Sequence, residues 1–181
     1  MNKLVPLLAL GLALLTQAAG CRKKDPAPDP PTDPLSTLPP ETQTGQRTFG
    51  CLVNGQAWTP AGSPLAGPLM SCSYMNSRLA IVVSRRGNFN GISTFQRISL
   101  VLDKVSQTGS YAATDSLFRV AEYEDLNNGC TITTTAVQAG SIELTKLDPV
   151  ARIASGRFSF TLEKAGCGRV VVTDGRFDCP F

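Results

Sequence analysis

From Phe49 onward the apolar residues recur with period two, and no stretch of useful length shows the 3.6-residue period of an amphipathic helix. Phe158, Phe160 and Leu162 alternate with Arg157, Ser159, Thr161 and Glu163. Ile98, Leu100 and Leu102 alternate in the same way with Arg97, Ser99 and Asp103. A chain patterned like this must bury one face of each strand, so it predicts an all-β, antiparallel meander closed as a β-sandwich or a small calycin-like barrel.

Turn residues divide the strands. Thr48–Val53 puts Phe49, Cys51 and Val53 on one face, and Asn54-Gly55 follows. That dipeptide suits a type I′ turn, where both central residues need positive φ. The returning Gln56-Ala57-Trp58 then sets Trp58 opposite Cys51, as a core or staple residue more than a ligand-stacking one. Further strands are expected near Met70–Met75, Arg78–Ser84, Phe95–Asp103, Gly109–Ala113, Leu117–Tyr123, Cys130–Val137, Gly140–Leu147, Ala151–Glu163 and Arg169–Asp178. Residues 59–69, with three prolines and two glycines, read as a loop, and residues 85–93 as a mobile one. These two loops, 59–69 and 85–94, are the candidate contact surfaces, because loops carry function on β scaffolds.

All twelve aromatic residues lie at or beyond Phe49, so the folding unit is expected to span 47–181. Residues 22–46 hold seven prolines and no aromatic residue. Such a segment buries too little apolar surface to offset its ordering entropy, and a disordered Pro-rich tether is expected there. In polyproline II form it could reach up to ~75 Å. Residues 1–20 carry a cation, Lys3, then a leucine-rich run ending at Ala18-Ala19-Gly20. The 16 residues from Leu4 to Ala19 fall short of the ~20 needed to cross a bilayer, so a removed signal peptide is expected.

The junction Ala18-Ala19-Gly20-Cys21 resembles the lipobox of bacterial lipoproteins, with Ala18 where Leu is usual. The resemblance implies that Cys21 becomes the lipidated N-terminus and ties the chain to a lipid bilayer. Arg22 stands where an Asp would favour retention in the inner membrane, which implies the outer membrane of the cell envelope. Of the acidic residues that mark surface export in such lipoproteins, only Asp25 is close behind the cysteine. Arg22, Lys23 and Lys24 could add ~1 kcal/mol each on an anionic leaflet, or serve only as solubilising residues.

Four segments carry a second resemblance: residues 48–55 (TFGCLVNG), 144–148 (LTKLD), 155–158 (SGRF) and 173–178 (TDGRFD). With them the chain resembles small β-rich exported lipoproteins of Bacteroidota that carry an uncharacterised domain. This resemblance supports the anchor, the compartment and the β-fold, and implies no chemistry.

The sequence contains no histidine, which removes the commonest general base and the commonest metal ligand. It has no GxSxG, SxxK, Walker or Rossmann pattern. No enzyme activity, cofactor or metal is expected. Glu122, Glu124, Asp125 and Asn127 offer oxygen ligands without EF-hand spacing and read as a solvated acidic loop. Asp115-Ser116-Leu117 resembles a short O-glycosylation site of exported Bacteroidota proteins, a three-residue match that chance explains better. The net charge of +3 is scattered without a basic stripe, so no nucleic-acid partner is expected.

Apart from Cys21, five cysteines remain: Cys51, Cys72, Cys130, Cys167 and Cys179. An oxidising compartment implies up to two disulfides and one free thiol, with fifteen arrangements open. One flat final meander would separate Cys130 from Cys167 and argue against that pair. The function expected is a membrane-anchored lipoprotein whose β-domain binds a small-molecule, glycan or protein ligand. A carboxylate-dependent hydrolase of envelope glycans and a purely structural envelope component are the alternatives.

Overall fold

The computed structural model describes residues 33–63, 65, 67–89, 91–113, 118–133 and 137–181. The signal segment 1–20, Cys21, the first part of the linker and Asp115-Ser116-Leu117 lie outside them. Among the described residues eleven strands run in chain order: β1 (Thr48–Val53), β2 (Gln56–Trp58), β3 (Met70–Met75), β4 (Arg78–Phe89), β5 (Ile92–Leu102), β6 (Gly109–Ala112), β7 (Phe118–Asp125), β8 (Cys130–Ile132), β9 (Val137–Asp148), β10 (Ile153–Lys164) and β11 (Gly168–Pro180). They form a six-stranded sheet, β2-β1-β11-β10-β9-β6, and a five-stranded sheet, β3-β4-β5-β7-β8. Every strand pair is antiparallel, and the two inner faces share one core, so the all-β expectation resolves to a sandwich.

The alternating residues lie where the period places them. Ile98, Leu100, Leu102, Phe158, Phe160 and Leu162 are all buried. Phe49 packs against Phe158 at 5.0 Å and Trp58 at 5.9 Å between ring centroids. Asn54 and Gly55 have φ of 50° and 78°, the I′ signature, and Cys51 pairs with Trp58. Trp58 is a core residue, 3 % exposed, and its Nε1–H donates to Gln96 Oε1 at 2.9 Å.

Five expectations need correction. Residues 85–89 and 92–93 are strand and not loop, because β4 and β5 stay paired from Leu79↔Leu102 to Phe89↔Ile92. The polar residues there reflect a hairpin end that extends beyond the core. The strand expected over Cys130–Val137 ends at Ile132, and Val137 opens β9 in the other sheet. Glu122 and Glu124 belong to strand β7 instead of a solvated loop. Glu124 is 7 % exposed and pairs with Arg97 directly across the ladder at 2.5 Å.

The fourth concerns the linker, whose second half is part of the domain. Residues 33–46 form a strap over the six-stranded sheet, opening with a 3-10 turn at Pro34–Thr37. Leu38 is buried, and Gly50 of β1 lets the strap approach: a Cβ there would lie 2.6 Å from Pro39 Cδ. Composition did not reveal this, because Leu38 is the strap's one buried apolar side chain and most of its anchoring comes from backbone amides.

Two disulfides tie the sheets together. Cys72 of β3 bonds Cys179 of β11, and Cys130 of β8 bonds Cys167 in the β10–β11 turn. β3 and β8 are the two edge strands of the five-stranded sheet, so each edge is stapled to the opposite layer. The Cys130–Cys167 bond overturns the flat-meander argument. Cys130 sits in the other layer, facing Cys167 across the sandwich with a Cα separation of 5.6 Å. Among the described residues Cys51 is the free thiol, fully buried, and burial pushes its pKa up to about 12. Ellman's reagent is therefore expected to find no reactive thiol from the folded domain at pH 8 and one equivalent after unfolding. A rapid native reaction would place Cys51 at the surface.

A candidate ligand cleft along the seam between the sheets

Of the candidate contact loops, 59–69 lines a cleft. The loop leaves β2 at Thr59-Pro60 and returns to β3 through Pro68-Leu69-Met70. Its backbone is fastened to β4: Arg86 N donates to Ala61 O at 2.8 Å, and Arg86 Nη2 donates to Gly67 O at 2.9 Å. Gly62 makes that approach possible, with φ of 131° and room for no Cβ, which would lie 2.5 Å from Arg86 O.

The result is a groove of about 570 Å³ between the loop, the start of β1 and the strap. Phe49, Pro39, Pro60, Leu69 and Met70 supply apolar wall, and Arg47 and Thr48 supply polar groups. Arg47 Nη1 donates to Met70 O at 3.4 Å, crossing the seam. Beyond that crossing a second compartment of about 570 Å³ continues along β3 past Ser71 and Cys72 to Arg152 and Phe181. An apolar lining with a few convergent polar groups is the usual chemistry of a small-molecule site. Loop composition indicated only the loop, and the cleft that it forms with Pro39, Arg47 and Phe49 arises when strap and sheet meet.

The strap wall depends on Asp178, which the sequence reading did not single out. Its carboxylate accepts from Thr42 Oγ1 (2.6 Å), Ser155 Oγ (2.7 Å), Gly45 N (2.9 Å), Thr44 N (3.0 Å) and Gln46 N (3.0 Å). Burial by itself would raise the Asp178 pKa. The hydrogen bonds from Gln46, Thr42, Ser155 and Gly45 outweigh it and bring the value down to about 2. No sequence signal marks this residue, since its donors are more than 130 positions away except for Ser155.

Carboxylates also meet at Arg157, on the outer face of the six-stranded sheet. Glu41 lies 2.7 Å and Glu143 3.5 Å from the guanidinium, and all three side chains are about half exposed. The hydrogen bond from Arg157 holds the Glu41 pKa below the usual carboxylate range. A glycosidase acid needs the opposite shift, so Glu41 lacks the electrostatics of a general acid. Glu122, Glu124 and Asp125 do not converge either. Among the described residues no group of three or more potential ligands is placed to hold a metal ion.

Cys51, Cys72, Cys130, Cys167 and Cys179 are accounted for by the two bonds and the buried thiol, and none lies in a nucleophilic setting. Among the described residues no helix is long and apolar enough to cross a membrane. No curated protein and no solved structure matches the chain. Over residues 78–178, from the first residue of β4 to the strap anchor Asp178, the chain matches the family described as Domain of unknown function (DUF6252), and it belongs to that family.

Proposed function

We propose that this protein is a lipid-anchored envelope lipoprotein, of the Bacteroidota type its sequence resembles, whose β-sandwich binds a ligand in the seam cleft without catalysing a reaction. The observation that carries the binding reading is the cleft wall, where Phe49, Pro60, Leu69 and Met70 line a volume open to solvent beside Arg47. Its ligand would have an apolar body and a hydrogen-bond acceptor within reach of the guanidinium. The anchor reading rests on Ala18-Ala19-Gly20-Cys21, and the two disulfides favour an oxidising compartment. An outer-membrane position follows from Arg22 at the sorting position.

Two measurements test the two halves separately. The amphiphilic anion 1-anilinonaphthalene-8-sulfonate, an aromatic body with a sulfonate acceptor, should bind the folded protein at one site, and Leu69→Asp should weaken that binding about tenfold by placing a negative charge in the apolar wall. Absence of saturable binding would end the cleft reading. The intact mass of protein recovered from cell membranes should show residues 1–20 removed and an acylated Cys21, and Cys21→Ser should release the chain into the soluble fraction. A soluble wild-type chain of full length would end the anchor reading.

A further inference from the structure

Strand β3 is an edge with nothing pairing its outer side among the described residues. The other three sheet edges are shorter: β2 and β8 have three residues each and β6 has four, against six in β3. Exposed edges are normally guarded by charge, proline, a bulge or brevity. β3 reads Met-Ser-Cys-Ser-Tyr-Met, without charge or proline, and its ladder to β4 runs unbroken from Met70↔Val83 to Met75↔Arg78.

Two hydrogen bonds show which backbone groups this edge offers. Leu69 O accepts from Ser84 N and so faces β4, while Met70 O accepts from Arg47 and faces outward. Alternation then turns the N–H and C=O of Ser71, Ser73 and Met75 toward β4 and those of Cys72 and Tyr74 toward the free edge. Beside that edge runs the second compartment of the seam, with Ser71 and Cys72 on one wall and Arg152 and Phe181 on the other.

We propose that β3 pairs with β3 of a second copy of this chain, antiparallel about a two-fold axis through Ser73. This register sets Cys72 opposite Tyr74 of the second copy and the reverse, so the outward N–H and C=O groups of both residues find partners. Ser71 then faces Met75 across the pair, and the two Ser73 side chains meet on the exposed outer face, where neither bulk nor like charge opposes the approach. An isologous contact of this kind closes at two copies. Two short strands place it in the weak class of interfaces, so the dimer should be concentration-dependent.

Sedimentation velocity of the Cys21→Ser chain over a wide concentration range tests this, and does so independently of any ligand in the cleft. A reversible dimer is expected. Ser73→Cys should form an intermolecular disulfide under mild oxidation, because non-hydrogen-bonded pairs bring Cα atoms to ~4.5 Å, whereas Ser71→Cys should not. Ser73→Lys should weaken the dimer about fivefold or more through like charges placed opposite each other. Mixing Ser73→Lys with Ser73→Glu should restore association. Ser73 is exposed, so unchanged circular dichroism serves as the folding control. A monomer at all concentrations, equal cross-linking at residues 71 and 73, or a dimer indifferent to Ser73→Lys would each overturn the proposal.

Discussion

Asp178→Ala is expected to destabilise the domain by about 3 kcal/mol, because it strips five donors of a buried, charged acceptor at once. Three of those donors are consecutive backbone amides of the strap, which no side-chain rotation can redirect. The midpoint of thermal unfolding should fall by about 10 °C. Asp178→Asn keeps the shape but turns one acceptor into a donor, so it should recover only part of the loss. A loss within the ~0.5 kcal/mol of an ordinary surface substitution would show that the strap is held without this carboxylate.

The same group gives the domain an acid limit. The Asp178 pKa is lower in the folded state, about 2, than its ordinary 3.8. A group with a depressed folded pKa adds stability that is complete above the unfolded value and fades as pH falls through the folded one. Denaturant unfolding should therefore show a stability decline between pH 4 and pH 2 that is shallower in Asp178→Ala. Equal slopes in the two proteins would assign the decline to other carboxylates.

Removing the Cys72–Cys179 bond with alanines at both positions is expected to cost about 4–5 kcal/mol, the larger of the two disulfide effects. Its cysteines are 107 residues apart, against 37 for Cys130–Cys167, and in the chain-entropy account the longer loop loses more freedom on cross-linking. The Cys130–Cys167 pair should cost about 4 kcal/mol by the same reasoning. Urea unfolding of the two double variants measures both. A larger loss from the shorter loop would mean that packing at the β8 edge, and not chain entropy, sets the scale. The Cys72–Cys179 bond also fixes β3 over β11, so its removal should loosen the second compartment of the cleft.

Local pattern was sufficient wherever two facts coincided: a period-two run and a turn of defined chemistry. Thr48–Val53 with Asn54-Gly55, the strand Met70–Met75, and the alternating runs of β5 and β10 all rest on neighbours within a few positions. Burial of Phe158, Phe160 and Leu162 follows from the same alternation, because a pleated strand has only two faces. The loop 59–69 was marked by its prolines and glycines, and it does line the cleft.

What the sequence by itself determined, then, is an antiparallel β domain with most of its strands, its first hairpin register and its long loop. Tertiary structure alone decided which strand joins which layer, and that assignment pairs Cys130 with Cys167 and leaves Cys51 buried and free. It also decided that residues 33–46 belong to the fold, since their anchor is a carboxylate more than 130 positions away. Period and turn chemistry act over a few bonds. Layer choice, disulfide partners and a buried acceptor depend on contacts between distant segments, and no local preference encodes those.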